Sequence, residues 1–185
     1  MNDILSASAD PAADLDARLR AAAMDVAAVL RQAVEALEPR AAEREIVIDT
    51  EGIEPTTAYA DATRIRQVVD NLLSNALKYA HNSGHVWVGC TNEGDRAIIA
   101  VRDDGPGIAP AEQAQLFQRF YRADAVRRSS VHGSGLGLAI SRDIARAHGG
   151  DIGVESEVGR GATFIVTLPA HAPAPEASET PEEEP

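Results

Sequence analysis

The sequence predicts a two-layer α+β sandwich built around one hydrophobic core. Helix-like and strand-like segments occur in mixed order, and several strands follow one another directly, which favours antiparallel pairing in one sheet. The chain has 185 residues, of which 44% are hydrophobic. This length and composition suit one domain with tails.

The periodicity of apolar residues predicts each element in turn. Apolar residues three and four apart indicate helices, whereas alternating apolar and polar residues indicate strands. Asp61 stands immediately before one helical pattern and is the expected N-cap. In chain order the predicted elements are a helix from about Asp25 to Ala42, a strand at 45–51, a helix that begins after Asp61, strands at 85–91 and 96–104, a short helix at 111–120, a helix at 135–149, and strands at 151–156 and 162–168.

The two ends of the chain differ in composition from its middle. Residues 1–23 have a weak apolar rhythm that Pro11 interrupts, which indicates a helix remnant and a linker. Residues 170–185 contain five Glu and neither Lys nor Arg, so we expect a disordered acidic tail. The folded domain is therefore expected to span residues 24–169.

Composition and charge exclude several classes of protein. The formal net charge of -12 argues against a nucleic-acid-binding protein, because binding to a phosphate backbone needs a basic face. An ATP site needs only a local group of cations and remains compatible with this charge. Cys90 is the single cysteine, which excludes an intrachain disulfide and a multi-cysteine metal site. No apolar run approaches the ~18 residues of a membrane span, so we expect a cytoplasmic domain.

The helix after Asp61 carries two adjacent stripes of side chains in the stretch VVDNLLSNALKYA. Apolar residues form one stripe, and Asn71, Asn75 and Lys78 form the other. Asparagine is a mediocre helix former, because its carboxamide competes for backbone hydrogen bonds. The polar stripe is either solvated surface or a site in which a carboxamide oxygen binds Mg²⁺ and an ammonium binds phosphate.

A second candidate feature is the stretch VRDDGPGIAP, in which a strand ends in two carboxylates. Gly105 and Gly107 follow in a tight turn, where glycine lets a ligand approach the backbone closely. One interpretation is an ordinary Asp-Gly turn. The other is an adenine site, in which a buried carboxylate at the strand end accepts a hydrogen bond from the exocyclic amine.

A third candidate feature is the glycine-rich stretch before the last predicted helix. Gly133, Gly135 and Gly137 precede an amphipathic pattern, so free N–H groups and the helix dipole would point at an anion. The stretch is not a P-loop, because no Gly-Lys-Ser/Thr follows, and the spacing differs from the dinucleotide-binding fingerprint. A phosphate loop of another kind remains.

The five motifs DNLLSNALKYA, DDGPGI, LFQRFYR, GSGLGLAI and GRGATF occur in this order. Together they resemble the N box, first glycine box, F box, second glycine box and final glycine motif of the ATP-binding domain of sensor histidine kinases. The resemblance covers about Met24 to Pro169. It implies the Bergerat-type fold shared with gyrase, MutL and heat-shock chaperone ATPases, a mixed and mostly antiparallel sheet backed by about three helices. ATP and Mg²⁺ would bind between the Asn-bearing helix and the glycine loops.

The resemblance also implies roles for individual residues. Asn75 would be the Mg²⁺ ligand, Lys78 would contact phosphate, and Asp103 would accept the hydrogen bond of the adenine amine. The other implied cofactor-binding residues are Asn71, Tyr79 beside the adenine, Gly105, Gly107 and Ile108 in the adenine wall, Gly133, Gly135, Leu136, Gly137 and Leu138 at the phosphates, and Thr163 through a water at the adenine end. The implied catalytic residues are Lys78 with Arg122, Arg127 and Arg128 of a mobile lid, whose guanidinium groups suit the charge on the transferred phosphoryl group.

Asn71 and the histidines bear on the reaction type. Hydrolytic relatives carry a Glu as base where this chain carries Asn71, and a carboxamide cannot take a proton near neutral pH. The family's phosphoacceptor segment, a His followed by Glu and then Arg-Thr-Pro, is absent. Phe117 and Phe120 are expected to anchor the lid by packing.

The resemblance implies two protein partners besides ATP, namely the His-bearing dimerisation domain of the parent kinase and the receiver domain of a response regulator. Residues 1–23 resemble the exit of a dimerisation helix, so we expect the chain to be the catalytic domain of a longer, membrane-anchored kinase. The isolated chain is expected to be a monomer. Two alternatives stay open, an anti-sigma-type serine kinase and a catalytically silent ATP-binding module of the same fold.

Overall fold

The computed structural model describes residues 20–121 and 135–173. Seven strands and four helices lie in these ranges. Their order is β1 Ala22–Asp25, α1 Val26–Ala42, β2 Val47–Ile53, β3 Thr57–Ala60, α2 Ala62–Tyr79, β4 His85–Glu93, β5 Arg96–Asp103, α3 Pro110–Gln113, α4 Gly137–Ala147, β6 Asp151–Ser156 and β7 Ala162–Pro169.

Five of the strands form the main sheet, in the order β2-β4-β5-β7-β6. Strands β2 and β4 are parallel, and the other three neighbouring pairs are antiparallel. Strands β1 and β3 form a separate antiparallel pair. The prediction of an α+β fold with a mixed, mostly antiparallel sheet is confirmed.

The core lies between one face of the main sheet and helices α1, α2 and α4. Helix α2 shows why the sequence forms this layer, since seven of its apolar residues lie three or four positions apart along one face and are buried. They are Ile65, Val68, Val69, Leu72, Leu73, Ala76 and Leu77. Burying each of the larger side chains stabilises the fold by about 1.5–3 kcal/mol. Strands β4, β5 and β7 supply the opposite layer through their alternating buried residues.

The fold departs from the sequence-based expectation at two short strands. Strands β1 and β3, of four residues each, were not predicted, and residues 22–23 of β1 had been assigned to the linker. Four alanine-rich residues carry no clear alternation, and their pairing depends on partners 32 to 38 positions away, as in Asp25 with Thr57 and Ala22 with Ala60. The folded part therefore includes residues on both sides of the predicted boundary at 24.

The segment 111–120 is also less helical than predicted. Only Pro110–Gln113 is helical, and turns follow it. Phe120 takes a φ of +66°, a left-handed conformation that ends a right-handed helix. Apolar spacing in LFQRF therefore reflects packing of a turn segment, with Leu116 buried, and not a continuous helix.

Two expectations concern the chain ends and the membrane. The helix remnant up to residue 19 and the tail from residue 174 lie outside the described residues. In the part of the chain that the structure describes, no helix is long and apolar enough to cross a membrane.

Candidate nucleotide-binding site

Helix α2, which carries the Asn stripe, is held at both ends by side chains. Asp61 caps its N-terminus, as predicted, and accepts hydrogen bonds from two backbone N–H groups of the first turn. At the C-terminus Arg44 donates to the carbonyl oxygens of Leu77 and Ala80 and to the Asn82 side chain. A cation at this end also interacts favourably with the helix dipole. The contribution of Arg44 could not be predicted, because it comes from a turn more than 30 positions earlier.

Asn71 joins α2 to α4. Its Nδ2 donates a hydrogen bond of 2.9 Å to Oγ of Ser141, which is 2% exposed. Its Oδ1 packs so closely against Gly137 that a β-carbon at that position would overlap it. A side chain at position 137 would therefore displace the Asn71 carboxamide, which is part of the contact between these helices.

Asn75 and Lys78 lie on the partly exposed face of α2, one turn apart. The ammonium of Lys78 lies 5.2 Å from the centre of the Tyr79 ring, within the range of a cation–π interaction. The face thus presents a neutral oxygen ligand, a cation and an aromatic ring in the last two turns of the helix.

Asp103 is the buried carboxylate at the end of β5, with 4% of its surface exposed. Burial raises the pKa of the Asp103 carboxyl to about 6, against the opposing effect of N–H groups from Gly105 and Ala162. Gly105 donates to its Oδ1 at 2.9 Å. The carboxyl therefore keeps acceptor capacity in a poorly solvated position, which is what recognition of an amine requires.

The neighbouring carboxylate, that of Asp104, stabilises a loop. Asp104 accepts hydrogen bonds from the backbone N–H groups of His81 at 3.1 Å and His85 at 2.9 Å. It thereby closes the loop between α2 and β4. In the DDG stretch, Asp103 is therefore the buried carboxylate, whereas Asp104 stabilises the loop between α2 and β4.

The first glycine loop, residues 104–109, packs tightly on the protein's own backbone. A β-carbon at Gly105 would overlap the carbonyl oxygen of Tyr79, and one at Gly107 would overlap that of Glu157. Glycine is therefore required here for contact with α2 and with the turn between β6 and β7. From the sequence we expected glycine here because a ligand approaches the backbone closely. The contacts with the protein's own backbone are already sufficient to require glycine at both positions.

Ser156 holds the first glycine loop in place. Its Oγ accepts from the N–H of Ile108 at 2.8 Å and donates to the carbonyl of Gly161 at 2.7 Å. Gln113 bonds the carbonyl oxygens of both Ile108 and Ser156. The role of Ser156 could not be predicted, because the residues around a serine at the end of a strand do not reveal its hydrogen-bond partners in other elements.

The position of Thr163 on β7 bears on its predicted role. Asp103 is paired with Ala162, so these two residues share the buried face of the sheet. Thr163 is paired with Arg102 and Glu155 on the opposite face. Thr163 and Asp103 therefore lie on opposite faces of the sheet, since a shift of one position changes the face of a strand. This placement argues against a contact between Thr163 and the adenine end, which stays a prediction.

The second glycine stretch is described from residue 135 onward. The carbonyl of Gly135 accepts a hydrogen bond of 2.9 Å from the N–H of Phe120, and α4 begins at Gly137. Leu136 and Leu138 are partly buried, and Leu138 packs on the core. Of the predicted phosphate-binding positions, Gly137 lies against Asn71, while Gly133 lies outside the described residues.

The F-box segment is tied to α4 by two contacts. The guanidinium of Arg142 lies 4.6 Å from the centre of the Phe117 ring, and Arg119 forms an ion pair of 3.0 Å with Asp143. Phe117 therefore packs on α4 and on the core, and its role as an anchor of the lid stays a prediction. Phe120 is 74% exposed, so it does not act as a packing anchor in this conformation. The predicted lid, with Arg122, Arg127 and Arg128, lies outside the described residues.

No acidic or histidine-rich metal centre occurs within residues 20–121 and 135–173, where no three His, Cys, Asp or Glu side chains lie close enough to hold a metal ion. Asn75 offers a carboxamide oxygen on a partly exposed helix face. Mg²⁺ usually takes one or two protein ligands and completes its shell with substrate phosphates and water. The donor set fits a metal that arrives with a nucleotide.

Comparison with known proteins agrees with this site. A family model described as histidine kinase-, DNA gyrase B-, and HSP90-like ATPase matches residues 60–172. Among curated proteins, the chain is similar to the circadian input-output histidine kinase CikA of Synechococcus elongatus, with 49% identity over 110 residues. The match covers 60% of this chain and 15% of CikA, so the chain corresponds to a small part of that relative.

Two solved structures illustrate the similarity of the fold. The mycobacterial sensor histidine kinase MprB has a TM-score of 0.73 and 29% identity, over 80% of this chain and 97% of that chain. Full-length ShkA in complex with AMPPNP has a TM-score of 0.72 and 34% identity, over 88% of this chain and 35% of that chain.

Proposed function

Because this chain belongs to the histidine kinase-, DNA gyrase B-, and HSP90-like ATPase family, we propose that it binds ATP with Mg²⁺ and donates the γ-phosphoryl group to a histidine on a separate dimerisation domain. It is then the catalytic part of a two-component signal-transduction kinase. The curated relative CikA and the structural relatives MprB and ShkA support this assignment, since the first two are named histidine kinases and the third was solved with an ATP analogue.

The environment of Asn71 is the observation that favours phosphoryl transfer over ATP hydrolysis. A carboxamide cannot act as a base near neutral pH, and its Nδ2 is already engaged with Ser141. A water molecule beside Asn75 therefore finds no proton acceptor one turn earlier on α2. ATP is held until a better nucleophile, the acceptor imidazole, is positioned at the γ-phosphorus.

The adenine end of the nucleotide is recognised by Asp103. The buried carboxylate accepts the hydrogen bond of the exocyclic amine, and Tyr79 flanks the ring. Gly105, Gly107 and Ile108 form the wall of this pocket. Guanine presents a carbonyl in place of the amine, so an acceptor at this position disfavours it.

The phosphate end lies between α2 and the start of α4. Lys78 contacts a phosphate, and the N–H groups from Gly135 to Gly137, together with the dipole of α4, stabilise the negative charge. Asn75 holds the metal, which when bound neutralises charge on the phosphate oxygens during transfer. The lid residues Arg122, Arg127 and Arg128 add guanidinium groups for the charge on the transferred group.

The partners of the chain follow from the chemistry of transfer. The acceptor histidine stands on a dimerisation domain, and a receiver domain of a response regulator takes the phosphoryl group from it. The catalytic chain alone is a monomer. Its parent is a sensor kinase anchored to the membrane, with this domain on the cytoplasmic side.

The identity of the acceptor can be tested directly. The chain is incubated with γ-labelled ATP and Mg²⁺, together with either a His-bearing dimerisation domain or an anti-anti-sigma protein. Acid-labile, base-stable label on the dimerisation domain is the expected result, because phosphohistidine has that stability. Acid-stable label on serine would assign the chain to the anti-sigma-type kinases. ATP binding without transfer to either acceptor would identify a silent module.

A further inference from the structure

The buried His148 occupies a junction at the C-terminal end of α4. It is 7% exposed. Its Nε2 accepts a hydrogen bond of 3.0 Å from the backbone N–H of Asp61, and its Nδ1 lies 2.8 Å from the carbonyl oxygen of Ile144. The tautomer with its proton on Nδ1 satisfies both contacts, since Nδ1 donates while Nε2 accepts. One imidazole thus links α4 to the residue that caps α2.

Asp61 connects this junction to two further segments. Its Oδ1 caps the first turn of α2 through Thr63 and Arg64. Its Oδ2 accepts from the N–H of Arg20, on the chain that leads into β1. The start of α2, the end of α4 and the incoming chain therefore meet at one aspartate and one histidine.

Helices α2 and α4 are consequently joined by hydrogen bonds at two separated points. The bond from Asn71 to Ser141 lies beside the candidate phosphate site, and the bond from Asp61 to His148 lies at the far end. Ten residues of helix separate the two points on α2, which corresponds to about 15 Å. Two separated points constrain the angle between α4 and α2 more than one point does, in addition to the contacts that hold α4 to β6.

We propose that His148 is a positioning residue for the nucleotide site. The bond between His148 and Asp61 holds α4 at the angle at which its first turn faces Asn71 and Asn75. Without this bond the C-terminal end of α4 is no longer tied to α2, although Arg142 and Arg146 still hold α4 to β6 through Asp151. A small change in the angle of α4 then shifts the phosphate-binding N–H groups of its first turn. The inference rests on the proposed function for its effect on ATP, and on the helix contacts alone for its effect on α4.

Two substitutions separate the two hydrogen bonds of the imidazole. In His148→Asn the side-chain amide can replace Nδ1 and donate to Ile144, but nothing replaces Nε2 as the acceptor for Asp61. In His148→Gln the side-chain oxygen reaches the position of Nε2 and restores that acceptor, while the local bond within α4 is lost. Both variants lose one hydrogen bond, so their melting temperatures should fall by similar amounts.

Calorimetric titration with ATP and Mg²⁺ gives the functional readout. We expect His148→Asn to bind roughly threefold to tenfold more weakly than the parent, and His148→Gln to stay within about twofold of the parent. Parent-like affinity of the Asn variant, or equal weakening in both variants, would overturn the inference. A purely structural role predicts that equal weakening, because both variants are destabilised alike.

Hydrogen exchange on the nucleotide-free chain tests the same inference without ATP. Amides 138–142 of α4 should lose protection in His148→Asn and keep it in His148→Gln. Equal protection in the two variants contradicts the positioning role. A parent chain that fails to bind ATP would instead contradict the proposed function, and the exchange comparison would still decide the role of His148.

Discussion

Asp103 illustrates at the scale of one residue how burial creates a selective acceptor. Substitution Asp103→Asn replaces an acceptor-only carboxylate with an amide that also donates. We expect ATP affinity to fall by about tenfold, since a hydrogen bond to a charged group contributes about 1.5–3 kcal/mol, and the preference for ATP over GTP to narrow. Competition between the two nucleotides, measured by calorimetry, checks this. Unchanged selectivity would assign adenine recognition to another group.

The raised pKa of Asp103 makes stability depend on pH. Its pKa rises from 3.8 to about 6 on folding, because burial disfavours the ionised form. The folded state therefore binds this proton more tightly than the unfolded state, and the resulting stability is present below pH 3.8 and lost as pH rises through 6. Relative to the parent, Asp103→Asn should gain up to about 3 kcal/mol between these limits. Urea unfolding of both chains at several pH values measures the difference in their free energies of unfolding. This difference should increase between pH 3.8 and pH 6, and a constant difference would contradict the raised pKa.

Asn75 is the residue on which metal-dependent binding should depend. In Asn75→Ala we expect affinity for ATP with Mg²⁺ to fall at least about tenfold, because a metal ligand is lost. The melting temperature should change little, since the buried face of α2 is intact. Gln67→Ala removes an exposed carboxamide from the same helix and serves as the control. Equal affinity in calorimetry for Asn75→Ala and the control would exclude the assigned role.

Individual side chains were predictable where their role is set by local pattern. Asp61 stands directly before an apolar-periodic helix, so its cap could be identified from sequence, and so could the buried Asp103. Ser156 and His148 could not, because their partners lie more than 40 positions away in the chain, at Ile108 and Asp61. The face of β7 on which Thr163 lies could not be predicted, because the sequence does not reveal that Asp103 pairs with Ala162.

At the scale of elements, α4 is held to β6 by a charge cluster. Asp151 accepts paired hydrogen bonds from Arg142 at 2.6 and 3.0 Å and from Arg146 at 3.2 and 3.3 Å. The Arg142 guanidinium holds the pKa of the Asp151 carboxyl well below its usual range, with burial opposing this effect. Since Arg142 also covers Phe117, the cluster connects α4, β6 and the F-box segment.

Substitution Asp151→Asn should destabilise the chain by about 0.5–1 kcal/mol at pH 7, a value reduced for the half-exposed carboxylate. Because the folded pKa is depressed, this stability is present above the unfolded value of 3.8 and is lost as pH falls below it. Urea unfolding at pH 7 and pH 3 should therefore show a smaller difference between parent and variant at pH 3. Asp143→Asn, which removes one exposed ion pair, should change stability less. A larger difference in the free energy of unfolding between parent and variant at pH 3 than at pH 7 would contradict a lowered pKa of Asp151.

The longer elements were predictable and the shortest were not, for a physical reason. Helix α2 and strands β4 to β7 carry enough residues for their periodicity to identify them. Strands β1 and β3 have four residues each and depend on pairing with one another. The segment 111–120 has helical spacing, yet its helix ends at Gln113. The residues after it form turns that contact α4 and include a left-handed Phe120.

At the scale of the whole molecule, the described fold positions the nucleotide, and the nucleophile of the proposed reaction comes from a partner domain. The walls of the candidate site come from α2, the first glycine loop and α4, which are joined by contacts such as Asn71 with Ser141. Positioning and electrostatic stabilisation provide most of the catalysis in phosphoryl transfer. An acceptor supplied in trans should therefore react, although more slowly than one tethered at high effective concentration.

The most direct test of the central claim compares transfer with hydrolysis in one reaction. The chain is incubated with γ-labelled ATP and Mg²⁺, alone and with the His-bearing dimerisation domain of its parent kinase, and free phosphate and acid-labile protein label are both measured. Asn75→Ala serves as the inactive control. The account predicts very slow phosphate release and no label on the chain alone, and acid-labile label on the added domain that depends on Asn75. Robust acid-labile labelling of this chain by itself, or brisk phosphate release without any acceptor, would contradict it.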